Sequence, residues 1–444
     1  MQSDQSFKIT NAWICQVSGA RIVPAFGDLE IADGKIRTIK AKDFRNFSSK
    51  NTSAQEPDIN AGGRAITLPL INFHEHIYSR LAKGLPVTGS MADFPAILQN
   101  LWWKMDALLD REMIRASAQL AALESIRNGV TCLFDHHASP GYVNGSLNTL
   151  AEILSGYGLR GVLCFETSDR HGPEIVEQAM EENIGFIDKN SHGEIKGMFG
   201  LHAAFTLSDS SLHKVSVLLR RRQAGIHIHL AEDRHDRDAC LKQYGITPAA
   251  RLQKFGLLNP QSITAHGVHL AAEDYRILND SGAALVYNPD SNLNNAVGLP
   301  QYGQAPDTLP ILAGSDGMHA NAARSLKQLF LQFRAQGASF NAAFSWLIKI
   351  YFDQLKFARR YFPDFPALLE GDRADFIVWD YIPPTPFTTD NFWGHFIYGI
   401  LEQPVHSVVQ NGRLLLNNGR FSFNCDGVID EITLQGRRLY EKFS

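Results

Sequence analysis

The chain has 444 residues, 44% of them hydrophobic and 20% charged, with a formal net charge of −4. That suits a soluble globular protein of two or three domains, or a barrel with an accessory domain. The charge balance excludes both a nucleic-acid footprint and an acidic interaction tail, and the strongest basic run, Arg220-Arg221-Arg222, reads as a solvated helix face.

The five cysteines are scattered, odd in number and without a CxxC pair, which argues against a disulfide framework and for a reducing compartment. No basic-then-apolar leader opens the chain and no apolar run approaches a membrane span, so the expectation is a cytoplasmic protein.

Short strands open the chain at Phe7-Lys8-Ile9-Thr10, Ala20-Arg21-Ile22-Val23, Leu29-Glu30-Ile31 and Ile36-Arg37-Thr38-Ile39. Gly27 and Asp33-Gly34 supply turn chemistry between them. Asp43 to Pro57 has the polar composition of a surface loop. The apolar run from Ala65 to Leu70 then leads into Ile71-Asn72-Phe73-His74-Glu75-His76. Side chains two apart on a strand share a face, so His74 and His76 converge, and two neutral imidazoles at a strand end can share a metal ion. Glu75 points away from them.

From there apolar runs alternate with amphipathic stretches. Strands are expected at Val130–Phe134, Gly161–Phe165, Gly197–Leu201, Gly225–Leu230, Ser262–Ala265, Ala284–Tyr287 and Ile311–Gly314, with helices such as Glu112–Asn128 and Glu174–Asp188 between them. With the run at Ile66 this makes eight units at roughly 30-residue spacing, the pattern of an α/β fold of the (β/α)8 TIM-barrel type, with chemistry at the C-terminal strand ends. No glycine-rich phosphate loop follows the first strand. Strand texture returns at Ala374–Trp379, Val405–Val409 and Gly412–Leu416, so both chain ends are expected to build one small β-sandwich. The domains are then 1–65 and 366–444 for the sandwich and 66–365 for the barrel.

The remaining polar candidates each fall at a strand end: His229 and Glu232 after the fifth strand, His266 after the sixth, Asp316 after the eighth. His227, two residues before His229, fits a hydrogen-bonded core position one layer down. These motifs together resemble the amidohydrolase superfamily, in the single-metal branch that holds cytosine deaminase, guanine deaminase and the triazine hydrolases. Nearly the whole chain carries the resemblance: both strand-rich ends, the HxH, the HxxE, His266-Gly267, Ser315-Asp316-Gly317 and Gly371-Asp372-Arg373-Ala374-Asp375. Asn100-Leu101-Trp102-Trp103, Asp135-His136-His137-Ala138-Ser139-Pro140, Cys164-Phe165-Glu166-Thr167 and Ser291-Asn292-Leu293-Asn294-Asn295 are more narrowly similar to SsnA-type aminohydrolases.

The resemblance implies one divalent metal ion, zinc first and iron second, held by His74, His76, His229 and Asp316. It implies Asp316 as proton shuttle, Glu232 as general acid toward a ring nitrogen, and His266 as the group that holds the attacking water or the developing oxyanion. Trp102, His202 and Asn292 are the expected substrate contacts, with Trp103, His136 and His137 left between pocket and packing roles. The expected reaction is hydrolytic deamination of an aminated purine, pyrimidine or triazine. The same ligands would serve a cyclic amide hydrolase or a chlorohydrolase, and a non-catalytic metal-binding subunit is the reading outside catalysis. The partner expected is a small heterocyclic substrate, with no nucleic acid and no membrane; relatives of this kind are dimers or larger homo-oligomers.

Overall fold

Eight parallel strand positions follow one another from Leu70 to Ala313 in the computed structural model, which describes residues 6–46 and 58–444. They are β1 Leu70–Glu75, β2 Val130–His137, β3 Arg160–Phe165, β4 Phe199–Ala203, β5 Ile226–Leu230, β6 Ile263–His266, β7 Ala284–Tyr287 and β8 Ile311–Ala313. The pairings from β3 onward are parallel, as is β2 with β3; Ile195–Gly197 pairs with β3 and, past Met198, β4 pairs with β5. Two parallel bridges, Glu75 to Asp316 and Thr167 to Leu201, bring the two pieces of sheet together into a barrel.

Nearly every residue of these strands is buried, as a parallel sheet covered on one face by helices and filled on the other by side chains requires. Helices Arg111–Arg127 and Pro173–Lys189 lie within a residue of their expected bounds. Local sequence sets the helix starts: Thr247 accepts a hydrogen bond from the Ala250 amide, and Pro248 fills the first turn of Pro248–Lys254, where its missing N–H costs nothing.

The described residues group into two compact units. One holds 72–123, 132–361 and 426–444, so the C-terminal helix Val428–Phe443 belongs to the unit that carries the barrel. The other takes the described residues up to Ile71, with 124–131 and 362–425. Its sheet runs in the order Arg420–Phe421, Arg413–Asn417, Val405–Gln410, Phe376–Trp379, Ala65–Thr67, Phe7–Ser18, Arg21–Ala32 and Lys35–Ala41, with Ile59–Asn60 beside Phe7–Ser18. Both chain ends meet where Phe376–Trp379 pairs antiparallel with Ala65–Thr67.

The apolar run expected to form the first barrel strand is therefore divided. Ala65–Thr67 belongs to the accessory sheet, and the barrel strand begins at Leu70. Between them stands Pro69, which has no N–H to give to a ladder. Gly27 is not a turn: it sits within Arg21–Ala32, where a Cβ would come to 2.3 Å of the Lys40 carbonyl oxygen. The hairpin turn is Asp33-Gly34, both with positive φ (51° and 73°). Of the loop expected from Asp43 to Pro57, residues 47–57 lie outside the described residues.

Candidate active site

Each functional side chain is set by where its strand stops. His74 lies in the last turn of pleat of β1 and His76 just beyond it, two residues apart and on one side. His229 is the penultimate residue of β5, and His266 ends β6. Asp316 follows β8, tied back to β1 by hydrogen bonds from the Ser315 and Asp316 amides to the His74 carbonyl (3.1 and 2.9 Å). His266 and Asp316 hold φ of 75° and 56°, a conformation that costs a non-glycine residue energy and collects at functional sites.

The imidazoles are aimed from behind. His76 Nδ1 donates to the His136 carbonyl (2.6 Å) and His229 Nδ1 to the His202 carbonyl (2.8 Å). A carbonyl oxygen only accepts, so both Nδ1 atoms carry hydrogens, and in the neutral rings both Nε2 atoms are left as lone pairs. These two Nε2 atoms stand 3.1 Å apart, and His76 Nε2 is 2.9 Å from Asp316 Oδ1. His74 Nε2 is 3.6 Å from the same oxygen and buried without a hydrogen-bond partner. His227 sits below, its Nε2 2.8 Å from His74 Nδ1, which fixes the His74 ring. Facing lone pairs around one carboxylate repel unless a cation or proton lies among them. Three nitrogens and one carboxylate oxygen are a donor set that fits a divalent metal such as zinc, with ring orientations fixed by outer hydrogen bonds.

The acid–base groups surround this cluster. Burial, and then the Asp316 charge, push the Glu232 carboxyl well above its usual range. Burial also pushes Asp316 up, but the His74 and His76 rings standing against it outweigh that and hold the carboxyl well below. His266 is lowered by burial; its Nδ1 pairs with Asn292 Oδ1 (2.9 Å), turning Nε2 toward Glu232 and Asp316 at 3.6 and 3.9 Å. Ser291 donates to Asp316 Oδ2, and Asn295 reaches Glu232 at 3.4 Å. Glu75 is buried on the far side, bound to Arg80 and Asn72.

A cavity opens over these groups. His76, His229, Glu232 and Asp316 form its floor, while Phe94, Leu98, Trp102, Trp103 and Met318 give it apolar walls. The tryptophans reach it through a widened helical turn, Leu98–Trp102, closed by the Trp103 amide on the Leu98 carbonyl. His202 lines the cavity as well, its Nδ1 on Thr206 Oγ1. Asn292 does not: it is fully buried behind His266 and acts by positioning that ring. His136 and His137 are likewise buried, His136 with Nε2 on the Leu201 carbonyl and His137 with Nε2 on Ser139.

Asp106, Glu166 and Arg170 line one side of the cavity; sequence reasoning passed over Asp106 and Arg170 and noted Glu166 only within Cys164-Phe165-Glu166-Thr167, without a role. Arg170 lies 2.6 Å from Asp106 and 2.9 Å from Glu166, and its guanidinium covers the Trp103 ring at 4.9 Å. Burial lifts Asp106 to about 8 against the pull of Arg170. Glu166, though also pushed up by burial, is held down at about 2 by Arg170 and His202. Beyond that motif, the signal was the four-residue spacing from Glu166 to Arg170, which is too common to single out.

A profile of the Amidohydrolase family matches residues 66–437. The 5-methylthioadenosine/S-adenosylhomocysteine deaminase of Desulforudis audaxviator is 26% identical over 98% of this chain and 99% of its own length. The 5'-deoxyadenosine deaminase of Methanococcus maripaludis is 26% identical over 85% and 89%. Among solved structures, a zinc-bound adenosine deaminase from Xanthomonas campestris superposes with a TM-score of 0.80 at 20% identity, covering 98% of both chains. The atrazine chlorohydrolase of Arthrobacter aurescens, complexed with zinc, gives 0.77 at 19% identity over 97% of this chain and 100% of its own.

Proposed function

This chain belongs to the amidohydrolase family, and from that premise we propose that it is a metal-dependent aminohydrolase that removes ammonia from an aminated heterocycle. The observation that carries the reading is the convergence of bare imidazole nitrogens and Asp316 on the floor of a cavity that Glu232 also lines, with His266 buried behind the two carboxyl groups. His74, His76, His229 and Asp316 would hold one divalent ion, zinc by its donor set. Such an ion, when bound, lowers the pKa of a coordinated water to about 7 and so supplies a nucleophile at neutral pH.

The chain's own groups divide the proton work. Glu232, kept protonated by its burial, delivers a proton to the ring nitrogen beside the amino-bearing carbon, which makes that carbon electrophilic. Asp316 accepts the proton released by the attacking water and passes it to the departing amine. His266, fixed by Asn292, holds the oxygen that adds to the ring. Trp102 and Trp103 flank a planar ring and exclude water from it. The relatives named as deaminases of adenosine derivatives support the leaving group. We place the reaction in the cytoplasm, a reading supported by five scattered cysteines, odd in number and without a CxxC pair.

The test is ammonia release by zinc-loaded protein across aminopurines, aminopyrimidines and aminotriazines, with metal content measured on the same sample. Release is expected with bound zinc and is expected to fall by at least about a hundredfold in Asp316→Asn. Silence across the panel with metal bound would overturn deamination and leave a cyclic amide or a ring halide as the bond broken. Metal-loaded protein inert toward all three classes would leave only a binding role.

A further inference from the structure

Glu166 stands apart from the groups already given a role. It follows β3, whereas Glu232 follows β5, and His202 stands at the end of the strand between them. One of its carboxylate oxygens lies within 4.8 Å of ring nitrogens of His136 and His229, so it reaches the edge of the proposed metal cluster. Its position is built. The Glu166 amide donates to the His137 carbonyl (2.7 Å), and Asn183 clamps the preceding residue through the Phe165 amide and carbonyl (2.8 and 2.7 Å).

The surrounding charges leave an acceptor unfilled. Arg170 stands between two buried carboxyl groups, Asp106, which burial keeps protonated, and Glu166, which stays ionised. Arg170 donates from Nη2 to Asp106 and from Nε to His171, while its Nη1 lies 2.9 Å from Glu166 Oε1 without completing a hydrogen bond. Glu166 Oε1 faces Arg170, while Oε2 has no protein hydrogen-bond partner among the described residues and the side chain lines the cavity. An ionised carboxylate oxygen that faces a pocket unpaired calls for a ligand that brings a donor.

We propose that Glu166 is a specificity-determining residue that selects rings whose amino-bearing carbon lies between two nitrogens, one of them an N–H. This rests on the deaminase reading: Glu232 protonates one flanking nitrogen, and Glu166 accepts the N–H of the other. The class is the cyclic guanidine, a 2-amino-4-oxo-pyrimidine ring alone or fused, and hydrolysis converts it to a cyclic urea with release of ammonia. Rings of the adenine type carry no N–H beside the amino-bearing carbon, so they leave Glu166 unpaired. The preferred substrate therefore differs from the adenosine derivatives named for the relatives.

The experiment measures binding without turnover, in zinc-loaded Glu232→Gln protein, by equilibrium dialysis of guanine against 2-aminopurine. Both carry the same amino group, but only guanine has the adjacent ring N–H. Guanine is expected to bind at least about tenfold more tightly, because a site built around a donor rejects the analogue that lacks it. Glu166→Gln, added to that background, is expected to abolish or invert the preference. Glu166→Asp, which keeps the charge and retracts it by one methylene, is expected to retain part of it and serves should the glutamine variant fail to fold. Equal affinities, no binding of either ligand, or a preference unchanged by both substitutions would overturn the inference. Ammonia release by wild-type protein from the wider panel reports separately on deamination: release accompanied by equal binding keeps that reading and rejects this one.

Discussion

At the scale of single residues, the site is governed by what each group is denied. His76 and His229 are denied a choice of tautomer by backbone carbonyls, and that turns two ordinary histidines into directed donors. Asp106 is denied water, and this has a consequence for stability. Its carboxyl is raised from 3.8 to about 8 in the folded protein, so the folded state binds a proton more tightly than the unfolded chain. A raised acid contributes stability that is complete below the unfolded pKa and is lost as pH rises through the folded one. Relative to Asp106→Asn, wild-type protein should therefore lose stability between about pH 4 and 8, with a slope of up to about 1.4 kcal/mol per pH unit. Urea unfolding of both proteins across that range checks it; parallel pH profiles would show that Asp106 does not titrate there.

At the scale of elements, helices hold strand ends at the depth the chemistry needs. Asn183, fully buried on Pro173–Lys189, accepts from the Phe165 and Gly200 amides (2.8 and 3.2 Å) and donates to the Phe165 carbonyl. It replaces ladder hydrogen bonds where β3 and β4 diverge, just before Glu166. Asn183→Ala should destabilise the protein by about 2–4 kcal/mol, because buried backbone groups lose their partners. The same substitution should raise KM more than it lowers kcat, since the cavity wall moves while the metal ligands stay. Urea midpoints and steady-state kinetics on a substrate from the panel read the two effects separately. The widened turn at Leu98–Trp102 is another such device: one extra residue in the turn brings both Trp102 and Trp103 to the cavity.

At the scale of the whole molecule, the proposed metal ligands come from strands far apart in sequence. His74 is on β1, His229 on β5 and Asp316 beyond β8, and the Glu75–Asp316 bridge is where β8 meets β1. An ion bound to all three ties the closure of the barrel to ligand binding, so it should stabilise the folded state by mass action. With free zinc a hundredfold above its Kd, the gain is about 2.7 kcal/mol. Calorimetric melting with zinc and with a chelator should show that increment in wild-type protein and its loss in His74→Ala. An equal increment in the variant would place the ion elsewhere.

The sequence by itself determined the alternation that makes the barrel and the strand-end positions of His74, His76, His229, His266 and Asp316, because period-two and helical patterns are local and a residue's distance from a strand end can be counted. It did not determine where the first barrel strand starts. The run from Ala65 is apolar throughout, and only pairing with Phe7–Ser18 and Phe376–Trp379 assigns its first half to the other sheet. Nor did it separate Asn292, which braces His266, from Asn295, which reaches Glu232: the two lie three residues apart on a short helix, and their environments are supplied by other strands. The wall of Asp106, Glu166 and Arg170 was illegible for the same reason. Asp106 comes from a segment far from Glu166 and Arg170, and the split between a protonated Asp106 and an ionised Glu166 exists only once folding removes them from water.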